Sequence, residues 1–212
     1  MPQKQNRNST PSKPDSALGP DGQPLPWLAV IYRDKSVKYG VPYELLVEQG
    51  RQENRRFSQF GISKSGAAGP AQFMPGTAKD MGLKVTGNKA TDERFDYQKS
   101  IDAQARLMSK LLKDNGGRID LALAAYNAGP GNVKHYEKID ETRKYVNQIL
   151  ERTGYKKGQT IDLNQLRGPE TPKPSKSTTR ANKPVSELAP TQPTAPELTA
   201  PTPTRVVARM GR

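Results

Sequence analysis

The chain has 212 residues, 33% of them hydrophobic, with 19 prolines, 18 glycines and a formal charge of +13, enough for one domain with tails and in need of an anionic partner: nucleic acid, acidic lipid, or an anionic polymer such as a bacterial cell wall. It has no cysteine, which excludes a disulfide framework and a thiolate metal site. A single histidine, His135, excludes a multi-histidine zinc site and nearly excludes a Ser/His or Cys/His nucleophile pair, so no metal or cofactor is expected and His135 is read as an ordinary surface or packing residue.

Residues 1–24 are Pro, Ser, Asn, Gln and Gly with scattered charge, and read as a flexible polar arm. The opening Met1-Pro2-Gln3-Lys4-Gln5-Asn6-Arg7 leads into no apolar stretch, so no secretory signal is expected. The longest apolar run, from Trp27 to Tyr32, is far shorter than the roughly 20 residues a membrane span needs. Trp27 to Tyr39, with Leu28, Ile31, Tyr32 and Val37, reads as a first helix packed on the next one.

That next helix starts at Pro42, whose missing N–H costs nothing in a first turn. Leu46, Gly50 and Glu53 fall at steps of four and three, on one apolar face flanked by Leu45, while Glu44, Glu48 and Arg51 lie where water reaches. A carboxylate on a buried face is costly unless it is paired or kept protonated for chemistry. A fraying helix end, where acids are common, is the competing reading of Glu53.

Ser63-Lys64-Ser65-Gly66-Ala67-Ala68-Gly69-Pro70-Ala71-Gln72-Phe73-Met74-Pro75 follows, a glycine-rich turn that lets backbone approach a ligand and delivers a hydroxyl, an amide and a thioether near one place. Met74-Pro75-Gly76-Thr77 opens a short helix through Met81, and 83–96 reads as a loop. Ile101, Ala105, Met108 and Leu112 step by four, three and four along an amphipathic helix that Asn115-Gly116-Gly117 stops. Ile119 to Tyr126 is a short apolar helix broken at Asn127-Ala128-Gly129-Pro130-Gly131, and Thr142, Tyr145, Val146, Ile149 and Leu150 form a last stripe before Gly154.

No period-two strand stands out, so residues 25–156 are expected to form a compact all-α domain. Residues 157–212 are expected to be a tail rich in Pro and Thr, biased toward polyproline II from about Gly168 onward, with a short basic end at Arg205–Arg212 that is either a docking peptide or a frayed terminus.

Four blocks in order carry a resemblance. They are Glu53-Asn54 with Phe57; Ser63 through Thr77; Ala125-Tyr126-Asn127-Ala128-Gly129-Pro130-Gly131; and Glu141-Thr142-Arg143-Lys144-Tyr145-Val146. Together they resemble the catalytic core of the soluble lytic transglycosylase (SLT) family, whose fold is α-helical and lysozyme-like. The chain departs from the family pattern in three places. Asn54 replaces the serine after the catalytic glutamate, Phe57 arrives one residue late, and Ser100 stands where asparagine is common. The first two bear on how the Glu53 carboxyl is held.

The resemblance implies cleavage of the MurNAc-β-1,4-GlcNAc bond of peptidoglycan, with Glu53 catalytic. It also implies that Ser63, Gln72, Met74, Tyr126 and Asn127 line the sugar subsites and that Tyr145 hydrogen-bonds Glu53. Plain core packing is the competing reading of Tyr126 and Tyr145. Glycosidases commonly use two carboxyls, yet these blocks supply one acid, Glu53, with none between it and Asp80. One acid suffices if the 2-acetamido oxygen stabilises the oxocarbenium-like centre and the C6 hydroxyl attacks, leaving a 1,6-anhydro product. Glu53 then acts first as acid and then as base, and the first role needs a pKa raised toward neutrality.

A hydrolytic muramidase of the same fold would need a second carboxylate, for which Asp92, Glu93 and Asp96 are nearest in sequence. A non-catalytic wall-binding or virion module is a further alternative, disfavoured by intact Glu53, Gln72 and Tyr145. Nucleic acid is expected only as a nonspecific electrostatic partner, since no recognition motif is present. The expected setting is a phage virion protein that opens the host wall in the periplasm during genome delivery, its arms held by other virion proteins. An endolysin released from the host cytoplasm is the alternative.

Overall fold

A computed structural model describes residues 16–166. Six α-helices carry the domain: α1 (Pro26–Tyr39), α2 (Tyr43–Glu53), α3 (Pro75–Asp80), α4 (Tyr97–Asp114), α5 (Ile119–Ala128) and α6 (Asp140–Thr153). Their ends follow from local chemistry. Pro26 and Pro75 open α1 and α3, and the Asp96 carboxylate accepts from Lys99 N to cap α4. Gly40 and Gly154 close α1 and α6 in the left-handed conformation. The only β pairings among the described residues are isolated bridges, so the all-α expectation holds.

The longest helix, α4, packs on α1 and α5, while α2 lies against α1 and α6. The stripe Ile101, Ala105, Met108 and Leu112 is wholly buried, as its spacing predicts, and meets Leu28, Leu45, Leu46 and Leu123 in one core. Each of the buried Leu, Ile and Met side chains stabilises the fold by about 1.5–3 kcal/mol.

Several expectations are corrected. Val37, read as part of the first core stripe, is 70% exposed. The loop at 83–96 contains a 3-10 turn, Glu93–Phe95, and the segment after α5 winds through another, Pro130–Lys138. Residues 16–24, read as the end of an arm, are folded onto the domain. Ala17 N donates to Arg56 O at 2.9 Å, Leu25 N donates to Ala17 O at 2.8 Å, and Ala17 is buried. Residues beyond 156 are also engaged. Ile161 N donates to Gly117 O at 2.9 Å, Ile119 N donates to Gln159 O at 3.1 Å, and Leu166 is buried. Main-chain hydrogen bonds hold both segments, and composition does not report those. The remainder of the two arms, Arg205–Arg212 included, lies outside the described residues.

Candidate active site

Glu53 is the last residue of α2 and is 3% exposed, on the face that also buries Leu46 and Gly50. Tyr145, from the middle of α6, donates its hydroxyl proton to Glu53 Oε1 at 2.6 Å. One turn before Glu53, the fully buried Gln49 donates from Nε2 to the Tyr145 hydroxyl at 3.3 Å. Burial raises the Glu53 carboxyl from its ordinary 4.5 to about 8, the Tyr145 and Gln49 hydrogen bonds pull back against that rise, and the Glu141 charge adds to it. Burial also holds the Tyr145 hydroxyl well above its ordinary range, so it stays a donor. Glu53 is therefore an acid at neutral pH that can become a base after giving up its proton.

The opposite face of α2 differs from expectation. Glu48 and Arg51 are largely covered. Glu48 Oε2 lies 3.0 Å from Arg51 Nε and 2.9 Å from Arg152 Nε, and Arg51 also donates to Gly22 O. This trio ties α2 to α6 and to the N-terminal segment.

Glu53 opens onto a cleft of 640 Å³ lined also by Arg55, Arg56, Ser63, Lys64 and Gln72, and Glu53 is the one carboxylate among the lining residues. The loop after α2 shapes this wall. Asn54 exchanges hydrogen bonds with Ser58, its Nδ2 donating to Ser58 O at 2.9 Å and its Oδ1 accepting from Ser58 N at 3.1 Å. Asn54 thus braces the loop and makes no bond to the acid. Phe57 has a positive φ of 50°, a conformation that costs a non-glycine residue about 1–2 kcal/mol. Its buried ring meets Tyr32 edge-on at 5.9 Å, which leaves Arg55 and Arg56 exposed at the cleft. Neither arginine forms an ion pair among the described residues.

Gln72 also has positive φ, 49°. Its Nε2 donates to Gly69 O at 2.8 Å and to Gly61 O at 3.0 Å, so the atom it can offer a ligand is the acceptor Oε1. Ser63 Oγ accepts from Ala67 N at 3.0 Å. Behind the turn, Arg94 donates to Gly66 O at 3.1 Å and Phe73 O at 3.3 Å while pairing with Asp92 at 2.9 Å. Gly69, with φ of 80°, must be glycine, since a Cβ there would sit 1.7 Å from Arg94 O.

The three acids considered as a second carboxylate are all committed elsewhere. Burial alone would raise Asp92, but bonds from Arg94 and from the N–H groups of Gly87 and Arg94 outweigh it and hold it at about 2. Glu93 accepts from Lys84 N at 2.8 Å, and Asp96 caps α4. None of them lines the cleft.

Of the residues expected at the site, Glu53, Ser63 and Gln72 share the cleft, with Tyr145 behind the acid. Tyr126, expected at a sugar subsite, is fully buried, and its hydroxyl donates to Ala71 O at 3.4 Å, next to Gln72. Asn127 is 4% exposed and accepts from Thr142 Oγ1 at 2.8 Å. Met74 is half-buried against the core. These three are not among the lining residues. Gln49 escapes sequence reading, although its step of four to Glu53 was a signal for it. His135 is exposed. Among the described residues no three Asp, Glu, His or Cys side chains could hold a metal ion, and no helix is long and apolar enough to cross a membrane.

Residues 31–149 match the family model described as Transglycosylase SLT domain. The chain is 35% identical over 124 residues to peptidoglycan transglycosylase gp16 of Escherichia phage T7, covering 53% of this chain and 9% of that protein. It is 37% identical over 87 residues to membrane-bound lytic murein transglycosylase D of Escherichia coli K12, covering 41% of this chain and 19% of that protein. The chain thus spans less than a fifth of either relative. In fold it is similar to the 70 kDa soluble lytic transglycosylase of Escherichia coli, with a TM-score of 0.51 at 23% identity over 59% of this chain and 23% of that one. An inactive mutant of the lytic transglycosylase Slt from Pseudomonas aeruginosa gives a TM-score of 0.50 at 26% identity, covering 58% and 22%. These likenesses agree with the lysozyme-like helical fold expected from the four blocks.

Proposed function

Because this chain belongs to the transglycosylase SLT domain family, we propose that it is a peptidoglycan lytic transglycosylase that cleaves the MurNAc-β-1,4-GlcNAc bond and leaves a 1,6-anhydro end. The observation that carries the reading is a single acid, Glu53, raised to about 8 by burial and opening onto a cleft whose lining residues hold no second carboxylate. Glu53 protonates the glycosidic oxygen of the leaving sugar as the C1–O bond breaks. The substrate's own 2-acetamido group supports the positive charge at C1. Glu53, now a carboxylate, takes the proton of the C6 hydroxyl as that oxygen bonds to C1. No water enters, and the acid returns to its starting state.

Ser63 and Gln72 are the polar groups placed to meet the sugars, Gln72 through its carbonyl oxygen. Tyr126 supports the cleft wall through its bond to the Ala71 carbonyl, beside Gln72. Arg55, Arg56 and Lys64 give the rim a positive field that draws in an anionic wall polymer.

The setting we propose is a phage virion, with the enzyme opening the host wall as the genome is delivered. The 35% identity to the T7 transglycosylase supports this setting. Mass spectrometry of purified virions is expected to detect the chain; its absence there would rule out the virion setting and leave the released endolysin.

Mass spectrometry of muropeptides released from purified sacculi tests the chemistry. Wild-type protein is expected to release products lighter by one water than hydrolytic ones, and Glu53→Gln to release none. Hydrated reducing ends would replace this reading with a hydrolytic muramidase.

A further inference from the structure

Behind the acid runs a line of buried polar side chains that the cleavage chemistry does not itself require. Tyr32 from α1, Gln49 from α2 and Gln104 from α4 are each fully buried, and Tyr145 from α6 is 5% exposed. Such groups are costly in a core unless each finds a partner. Here they partner one another in sequence. Gln104 Nε2 donates to the main-chain carbonyl of Leu46 at 3.0 Å and also to Gln49 Oε1. Gln49 Nε2 donates to the Tyr145 hydroxyl, and Tyr145 donates to Glu53 Oε1. The Tyr32 hydroxyl lies 3.5 Å from Gln104 Oε1, in a space that only Gly50 leaves open, since a Cβ there would sit 2.1 Å from that hydroxyl.

The direction of this line follows from its anchor. A carbonyl oxygen can only accept, so Leu46 O turns the Gln104 amide with its nitrogen inward. That nitrogen then requires an oxygen from Gln49, which turns the Gln49 NH2 toward Tyr145. The Tyr145 oxygen is thereby occupied as an acceptor, and its single proton has to point to Glu53 Oε1. A proton on Oε1 would compete with the Tyr145 hydroxyl for the lone pairs of that oxygen, while Oε2 takes no part in the Tyr145 bond, so the geometry favours the acid proton on Oε2.

We propose that Gln49 and Gln104 are positioning residues that lock the direction of the Tyr145 hydrogen bond and so confine the catalytic proton of Glu53 to Oε2. Oε1 then accepts the same hydrogen bond before and after proton transfer, and the site passes from acid to base without reorienting any group, which is the preorganisation that lowers a barrier. The inference rests on Glu53 being the acid, as in the proposed function. The titratable groups facing it are Tyr145 and Glu141 from α6, Tyr126 from α5 and Tyr32 from α1. The three tyrosines are held above their ordinary range by burial and remain neutral donors.

The test reads the Glu53 carboxyl directly, by NMR of protein carrying 13C-labelled glutamate, so it does not depend on which substrate is cleaved. The wild-type midpoint is expected near 8. Gln49→Met removes a donor that favours the carboxylate, so the midpoint rises, by about half a pH unit or more. Gln104→Met touches neither Glu53 nor Tyr145, yet frees Gln49 to turn over and take the Tyr145 proton, so it too moves the midpoint upward. In both variants kcat on sacculi is expected to fall about tenfold with KM within about twofold, and the alkaline limb of the pH profile to follow the midpoint.

A Gln104→Met midpoint equal to that of wild type in a folded protein would overturn the relay, leaving Gln49 a simple neighbour. If Gln104→Met does not fold, the wild-type side-chain amide resonances of Gln104 decide. They are expected to exchange slowly and to titrate with Glu53, and their indifference to it sinks the proposal. Normal titrations with no anhydro product from any variant would instead count against the proposed function.

Discussion

The two sides of Glu53, a helical wall behind it and the loop wall that lines the cleft before it, are built by different means. On the helical side, α2, α4 and α6 bury side-chain amides and hydroxyls against one another, and each is aimed by the next. On the loop side, residues 54–72 expose basic side chains to the cleft, and the shape is kept by side chains that reach in to satisfy main-chain carbonyls: Asn54 on Ser58, Gln72 on Gly61 and Gly69, Arg94 on Gly66 and Phe73. The contrast teaches a division of labour. On the function proposed above, the helical wall sets the protonation of the acid, and the loop wall sets what lies against it.

Damage to the helical wall should therefore change kcat and pH dependence, and damage to the loop rim should change KM. The largest effect is expected at Glu53. Glu53→Gln should lower turnover of sacculi by about a thousandfold or more. The same variant should gain stability at alkaline pH. The wild-type carboxyl is raised from 4.5 to about 8 on folding, so the native state holds its proton more tightly than the unfolded chain. Wild-type stability should therefore fall as pH rises from about 4.5 to about 8, by on the order of a few kcal/mol, while the glutamine variant escapes that loss. Thermal unfolding of both proteins at pH 5 and pH 8 measures the difference.

Next in size is the pair behind the turn. Arg94→Met leaves the Asp92 carboxylate buried and unpaired, since the two side chains are 7% and 0% exposed. A loss of about 3–5 kcal/mol in urea unfolding is expected, with activity falling as the turn loosens. Because folding depresses Asp92 to about 2, its stabilising contribution is complete above about pH 4 and should disappear as pH falls toward 2.

Tyr145→Phe should have a smaller effect. It removes a donor to the carboxylate, so the Glu53 midpoint should rise above about 8 and kcat should drop about tenfold, read from a pH–rate profile. Smallest is the double change Arg55→Gln with Arg56→Gln. It should raise KM about three- to tenfold, leave kcat nearly unchanged, and flatten the dependence of KM on salt. A kcat effect from this rim change as large as that of Tyr145→Phe would break the comparison between the walls.

The helical wall was legible in the sequence where it follows a period. The stripe of α4 and the shared face of Leu46, Gly50 and Glu53 emerge from spacing, and the end of α6 from the glycine at 154. Val37 shows the limit, because an apolar residue at a plausible step can still face water. Gln49 and Gln104 were missed because an amide on a buried stripe reads as ordinary surface polarity until its partners, 55 residues apart for these two, are known. Gly50 was visible as a face member, but its purpose, room for the Tyr32 hydroxyl, belongs to another helix. The loop wall was legible as a resemblance of motifs. Its supports were hidden: Asp92 and Arg94 lie in a stretch without period. Segment 16–24 is held by bonds to main-chain carbonyls that no side-chain pattern announces.

The attachment of that segment has a mechanical side. Ala17 N and Ser16 Oγ both donate to Arg56 O, and Arg51 grips Gly22 O from α2. Tension arriving along the chain from residue 15 is therefore borne first by the carbonyl of Arg56, three positions beyond Glu53 and directly ahead of the strained Phe57. The seat of the N-terminal segment and the lining of the cleft are thus one piece of backbone, because the carbonyl that holds Ser16 and Ala17 belongs to a residue that lines the cleft.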